Sequence, residues 1–382
     1  MSLRSIPQRL GASMVIVIGI AGVVAVLVSM LAMAVGFTKT VQGAGRADRV
    51  IVLRGGSGAE LSSFLDRDAV TTIKDAPGIK HDAAGRPIAS AEISVMVSLP
   101  KKGETTAANV ALRGVGPQEF VLRPETKIIA GRTFQPALRE LIVGRAAHDQ
   151  FRGLDIGSHV DIRGTEWTVV GVFENGGDTH ESELVADVET VQAAYRRDGF
   201  QSATVLIETP DSFNTLKDAL TTNPTLSVDV LREPEYYAQQ SKQLGKLLFF
   251  VSYVVGGIMA VGALFGALNT MYAAVSARGL EIATLRAIGF GATPVVISVL
   301  VEALALAAAG GFIGAGLAWV MFDGNVVSTL GGNFTQVVFA LTVTPGLLLT
   351  GIIWACMVGI LGGLFPAVRV ARLPVAVALQ AQ

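Results

Sequence analysis

Four long apolar runs punctuate the chain: Met14 to Phe37, Leu247 to Val275, Pro294 to Phe322 and Val337 to Val368. Each exceeds the ~20 apolar residues that a helix needs to cross a hydrocarbon core, so each predicts a membrane-spanning helix. The first run is longer than the roughly 7–15-residue apolar core of a signal peptide and lacks a small-x-small cleavage pattern, which marks it as a retained anchor. Residues 38 to 243 follow a different pattern. Short β-rich runs predict strands at Arg49–Leu53, Ile93–Leu99, Ala108–Leu112, Leu141–Gly144, His159–Arg163, Thr168–Phe173, Ala203–Glu208 and Leu226–Leu231. Helical patterns occupy Asp66–Ile73 and Ser212–Leu220. A strand–helix–strand unit thus opens this stretch and a similar unit closes it. One discontinuous subdomain follows, with a β-rich insert at about 116 to 202. The fold class is four transmembrane α-helices with a large α+β domain inserted between spans 1 and 2.

After Pro234 the pattern is helical and continues into the second span. An unbroken helix there would couple the inserted domain rigidly to the membrane. Tyr236, Tyr237, Lys242 and Lys246 are read as its interface anchors, because aromatic and basic side chains favour the headgroup level.

Composition agrees with a membrane protein. Of 382 residues only 16% are charged and 51% are hydrophobic, whereas soluble domains are about a quarter charged. A net charge of −1 argues against a nucleic-acid partner, which would need a basic patch. The single cysteine, Cys356, excludes an internal disulfide and reads as a small buried hydrophobe. Basic residues set the topology. Arg4 and Arg9 lie in segment 1–13, Arg278 and Arg286 in 276–293, and Arg369 and Arg372 in 369–382. The loop 323–336 has no Lys or Arg. The positive-inside rule therefore places both termini and 276–293 in the cytoplasm, and residues 38–243 outside.

Within the spans, small residues recur four apart at Gly262 and Gly266, Gly310 and Gly314, and Gly359 and Gly363, which predicts close helix packing. Glu302 is an intramembrane carboxylate, a functional candidate by default, but no basic residue lies at matching depth, and a proton relay would need more such groups. His81, His148, His159 and His180 show no metal-ligand spacing, and no G-x-S-x-G occurs. No catalytic residue or metal site is predicted. No G-x-x-x-x-G-K-[ST] occurs either, so these residues cannot cradle ATP phosphates as a P-loop does. The polar stretch Ser276–Thr293 is the one that stands out. On a helix, Arg278, Glu281, Ile282, Leu285 and Arg286 share one side. Exposed aliphatics among opposite charges form a docking face, with an apolar centre and a charged rim. The alternative is a helix lying in the headgroups. Gly289 and Gly291 end it.

These features resemble the MacB/FtsX-like family of ABC transporter permeases. The family's cytoplasmic helix, R-x-x-E-I-x-x-x-R-A-I-G, is matched by Arg278, Glu281, Ile282, Arg286, Ala287, Ile288 and Gly289. Its last span ends G-x-x-P-A before a basic tail, here Gly363, Pro366, Ala367, Arg369, Ala371 and Arg372. The tail departs from the family at Pro374, Ala376 and Val377. Gly131–Phe134 and Thr168–Val172 are similar to parts of the MacB-like periplasmic core domain. The resemblance implies a permease dimer, of two copies or with a paralogue, on a separate ABC ATPase that holds the ATP and Mg, with no cofactor in this chain. It implies mechanotransmission in a bacterial inner membrane, and export with a periplasmic adaptor and an outer-membrane channel. Lipoprotein extraction, and FtsX-like signalling to a cell-wall hydrolase, are the alternatives.

Overall fold

Unbroken apolar length decides the first element, α1 (Leu10–Gly43). The computed structural model describes residues 10–104, 106–277, 284, 288, 291–331 and 335–371. These divide into two units. One, α+β, comprises Phe37–Gly245 and Val326–Ala340; the other, helical, comprises residues up to Gly36, Lys246–Asn325 and residues from Leu341.

The α+β unit runs β1 (Arg49–Arg54), α2 (Arg67–Lys74), β2 (Ala89–Pro100), β3 (Ala107–Val115), α3 (Glu119–Leu122), β4 (Lys127–Gly131), β5 (Glu140–Gly144), α4 (Arg145–Gln150), β6 (His159–Ile162), β7 (Thr165–Glu174), β8 (Glu183–Asp187), α5 (Val188–Tyr195), β9 (Ser202–Leu206), α6 (Ser212–Thr221) and β10 (Val228–Arg232). Local chemistry starts its helices. The Asp66 carboxylate accepts from the Ala69 amide and the Asp187 carboxylate from the Thr190 amide, each satisfying an orphan donor of a first turn. Val70 and Ile73, one turn apart, face α2 inward.

The strands form a sheet in the order β10-β1-β9-β2-β3-β8-β5-β7-β4, with β6 paired to β7. The opening strands β1 and β2 both pair antiparallel with the closing strand β9. The long strand β2 serves two neighbours: Ala89–Glu92 pair with β9 and Ile93–Pro100 with β3. Beyond it, β3 and β8 are parallel, as are β5 and β7. The core runs through both parts, from Val52 and Val205 to Leu112, Val143 and Trp167. Gly131, at φ 74°, has no room for a side chain, because a Cβ there would meet the Val170 carbonyl and the Gly171 backbone.

The helical unit contains most of α1, the later part of α7 (Glu233–Ser276), α8 (Ala292–Phe322) and α9 (Pro345–Ala371). Ile20, Val24, Ala260, Ala267, Ala303 and Ala355 belong to its common core. All four helices are long and apolar enough to cross a membrane.

Two expectations are corrected. The fourth apolar run does not begin a helix at Val337: residues 337–340 belong to β12 (Gln336–Ala340), paired antiparallel with β11 (Val326–Leu330), and α9 starts at Pro345. The loop after α8 is therefore a β-hairpin of the α+β unit. Its Val338 amide donates to Ser182 Oγ at 2.9 Å, and Phe339 meets Phe37 edge-on at 5.7 Å. β-Branched Val337 and Val338 suit a buried strand as well as a span, so apolar length alone could not separate them. The second correction concerns Tyr236 and Tyr237. They are not interface anchors but buried side chains of the α+β unit, packed on each other at 5.3 Å.

Candidate functional site

Arg278, Glu281, Ile282, Leu285, Arg286 and Gly289, the predicted docking residues, lie outside the described residues. At their borders, Ile288 is exposed and its amide donates to the Thr284 carbonyl, a helical spacing. Gly291 then caps α8 in an extended conformation.

The packing glycines separate into two kinds. A Cβ at Gly310 would lie 2.8 Å from the Val17 carbonyl, and one at Gly314 would strike Ala21. Both thus hold α8 against α1. Gly359 and Gly363 face Ala307 and Ala303, which brings α9 onto α8. Gly262 and Gly266 of α7 have open space within the chain. Glu302 is buried in α8.

A buried ionic network in the α+β unit was not anticipated. Arg113 on β3 binds three carboxylates: Glu60 at 2.9 Å, Glu92 at 2.7 Å and Glu183 at 2.7 Å. Arg123 binds Glu119 at 2.8 Å and Glu233 at 2.7 Å. Glu233, the first residue of α7, also takes Arg49 Nε at 2.6 Å and the Arg46 amide at 3.0 Å. Beside them His180 bridges Asp178 at 3.2 Å and the Tyr237 hydroxyl at 3.1 Å. Every one of these side chains except Arg46 is buried. The first turn of α7 is thus held by paired charges as well as by the buried Tyr236 and Tyr237 rings. Sequence carried a signal for it: Glu92 and Arg113 interrupt the apolar strand runs at inward positions, where a charge survives only if paired.

Acids outnumber bases here, and the network's protons respond. Burial pushes the Glu60 carboxyl up, but Arg113 and the Ser202 hydroxyl hold it at about 2. Burial pushes Glu92 up as well. Repulsion from Glu119 adds to this, and the single Arg113 contact leaves it at about 7. Burial alone would lower His180, but the adjacent Asp178 raises it. No group of His, Cys, Asp and Glu able to hold a metal occurs among the described residues. Among the described residues these side chains pair chiefly with one another, and the Tyr237 hydroxyl beside His180 borders a small pocket that Glu60, Arg113 and Glu183 also line.

Comparison with known proteins follows the same division. The model of the MacB-like periplasmic core domain matches residues 13–223, and that of the FtsX-like permease C-terminal region matches 253–375. A macrolide export ATP-binding/permease protein MacB from Hahella chejuensis is 25% identical over 91% of this chain and 56% of its own length. The MacB protein of Rhodopirellula baltica is 23% identical over 97% of this chain and 59% of its own. The chain therefore spans somewhat more than half the length of these curated relatives. An ABC transporter permease of Methanocaldococcus jannaschii is 22% identical over 59% of this chain and 58% of its own length. Among solved structures, the periplasmic region of MacB from Actinobacillus actinomycetemcomitans superposes with a TM-score of 0.37 at 16% identity. It covers 53% of this chain and 92% of that one. The extracellular domain of the noncanonic ABC-type transporter YknZ from Gram-positive bacteria gives 0.37 at 15% identity, over 48% of this chain and 99% of that one.

Proposed function

The chain belongs to the MacB/FtsX-like family of ABC transporter permeases, and on that premise we propose that it couples ATP hydrolysis by a partner ATPase to motion of its α+β domain. The protein is a multi-pass membrane component with a MacB-like domain after its first span. The observation that carries the coupling reading is α7. It is one unbroken helix from Glu233 to Ser276; residues to Gly245 belong to the α+β unit and those from Lys246 to the helical unit. Its first residue is fixed by two arginines, and its far end leads into the charged segment 278–289. In this reading a push on that segment is passed along α7.

Transport through the membrane centre fits less well. Between residues 14–37, 247–275, 294–322 and 345–368, Glu302 is the sole acidic or basic side chain, and a polar path would need more. The reading is of an inner-membrane permease with cytoplasmic termini, dimeric through a second copy or a paralogue. In this reading hydrolysis belongs to an ABC ATPase that holds ATP and Mg; these 382 residues carry no P-loop motif of their own. Export with a periplasmic adaptor and an outer-membrane channel is the form we favour, following the macrolide-export relatives. Purification from native membranes tests it. An ABC ATPase and an adaptor should co-purify, and the complex should hydrolyse ATP while the permease alone does not. Recovery of a cell-wall hydrolase regulator in place of an export adaptor would replace export with signalling.

A further inference from the structure

Most arginines of the α+β unit are bound to carboxylates, but three that are not converge on one cavity. The cavity has a volume of about 690 Å³ and is lined by Arg139 before β5, Arg163 in the β6–β7 turn, and Tyr195 and Arg196 at the end of α5. Among the described residues none of these three guanidiniums has an ion-pair partner. Arg163 lies over the Tyr195 ring, 5.0 Å from its centroid. The carboxylates nearby are already engaged. Glu189, in the lining, is gripped by Arg67 at 2.9 and 2.7 Å, and Asp187 caps α5 through Thr190. The cavity wall is therefore left with unneutralised positive charge.

The backbone supplies an independent mark. Among the described residues, the non-glycine positions with positive φ are Ala137 at 62°, Arg163 at 55° and Arg196 at 52°, and all three line this cavity. Such conformations are disfavoured for residues with a Cβ and cluster where a structure imposes the direction of a side chain. Here they set two of the three guanidiniums at the cavity wall.

We propose that this cavity binds a small anion carrying two or more acidic groups of the carboxylate or phosphate class. The guanidinium fork matches the oxygens of either group two at a time. Three forks around a cavity of small-molecule size suit a multiply charged ligand better than a lone inorganic ion. The Ala137 and Ala193 methyls and the Tyr195 ring offer apolar contact to its carbon skeleton. The site stands apart from the coupling role and does not depend on it.

The test is calorimetric titration of the full chain in detergent with citrate and with fructose 1,6-bisphosphate, using sucrose as the neutral control. Saturable binding of either anion is expected, with sucrose inert and affinity falling steeply with salt. The paired change Arg139→Gln and Arg196→Asn should weaken it at least about ten-fold, the loss of one charge-assisted contact or more. Asparagine is chosen because it tolerates the left-handed backbone. Arg163→Asn alone should weaken binding too, and exposed Arg152→Gln, outside the cavity, should leave it unchanged. Binding of citrate alone, or of the bisphosphate alone, upholds the site and identifies the acidic group it takes. The proposal is overturned by no saturable binding of either anion at millimolar concentration. It is equally overturned if affinity is unaltered in both cavity variants, or if sucrose binds as well as the anions.

Discussion

Arg113 and Glu92 meet at 2.7 Å in the interior of the α+β unit, yet the carboxyl keeps its proton up to about pH 7. The reason is competition. Arg113 gives Glu60 two nitrogens, at 2.9 and 3.1 Å, and Glu60 also takes the Ser202 hydroxyl. Glu92 receives one nitrogen and faces the charge of Glu119. One guanidinium cannot neutralise every acid around it.

Stability should therefore fall as pH rises through the region of Glu92. Below its unfolded value of 4.5 both states are protonated and the residue contributes nothing. Between 4.5 and about 7 only the unfolded chain releases the proton, so the folded state loses ground. Above 7 the penalty is complete, about 3 kcal/mol. Glu92→Gln keeps an acceptor for Arg113 and removes the titration. At pH 8 it should be more stable than wild type by roughly that amount, converging with it near pH 5. Glu60 runs the opposite way: its stabilisation is present above 4.5 and lost as pH drops toward 2. Unfolding curves of both proteins from pH 5 to 8.5 check this, and parallel profiles would refute it.

Removing Glu233 should be severe. Glu233→Ala leaves Arg49 and Arg123 buried without their shared carboxylate, and breaking a buried pair costs about 3–5 kcal/mol. Thermal unfolding and the yield of folded protein report it. By contrast the exposed pair of Arg67 with Glu189 should lose under about 1 kcal/mol on Glu189→Ala.

The glycines of α8 and α7 should behave differently. Gly314→Val drives a side chain into the Ala21 backbone of α1 and should destabilise the helical unit by about 1–3 kcal/mol or more. Gly262→Val and Gly266→Val meet open space within the chain and should leave its thermal stability unchanged. If a second copy packs on that face of α7, these two changes lower the dimer fraction in size-exclusion chromatography with light scattering.

Glu281→Lys should fold and reach the membrane, since residue 281 lies in the polar segment between α7 and α8. A desolvated contact to an ATPase would lose about 2–5 kcal/mol on removal of one charge, and reversal adds repulsion. Co-purifying ATPase and stimulated hydrolysis should both disappear. Full retention would return the segment to a helix lying in the headgroups.

In a Cys356→Ala background, cysteines at exposed Glu104 and Asp149 should react with an impermeant maleimide in intact spheroplasts. Labelling only after lysis would invert the topology.

Much of the architecture was legible along the chain. All four spans, the fourth apart from its start, together with the α+β character of the stretch after α1 and the helical run into the second span, follow from apolar length and period, which are local quantities. Family membership also lay in linear motifs. The β11–β12 hairpin was not legible, because Val337 to Ala340 satisfy a span and a strand equally. Only its pairing and the Ser182 contact decide between them. Tyr236 and Tyr237 were misplaced for a related reason: an amphipathic ring suits a membrane interface and a buried polar network alike. Arg49, Glu60, Glu92, Arg113, Arg123 and Glu233 are spread over 185 positions from Arg49 to Glu233, and no sequence spacing links them. What the sequence determined by itself was where the chain must leave water, since that depends on composition over a window of twenty or so residues. Which buried charges share an arginine, and which three arginines are left facing a cavity, was decided by strand order. The sheet brings β1, β2, β3 and β8 together, and a charge's cost or benefit depends on what stands within a few ångströms of it.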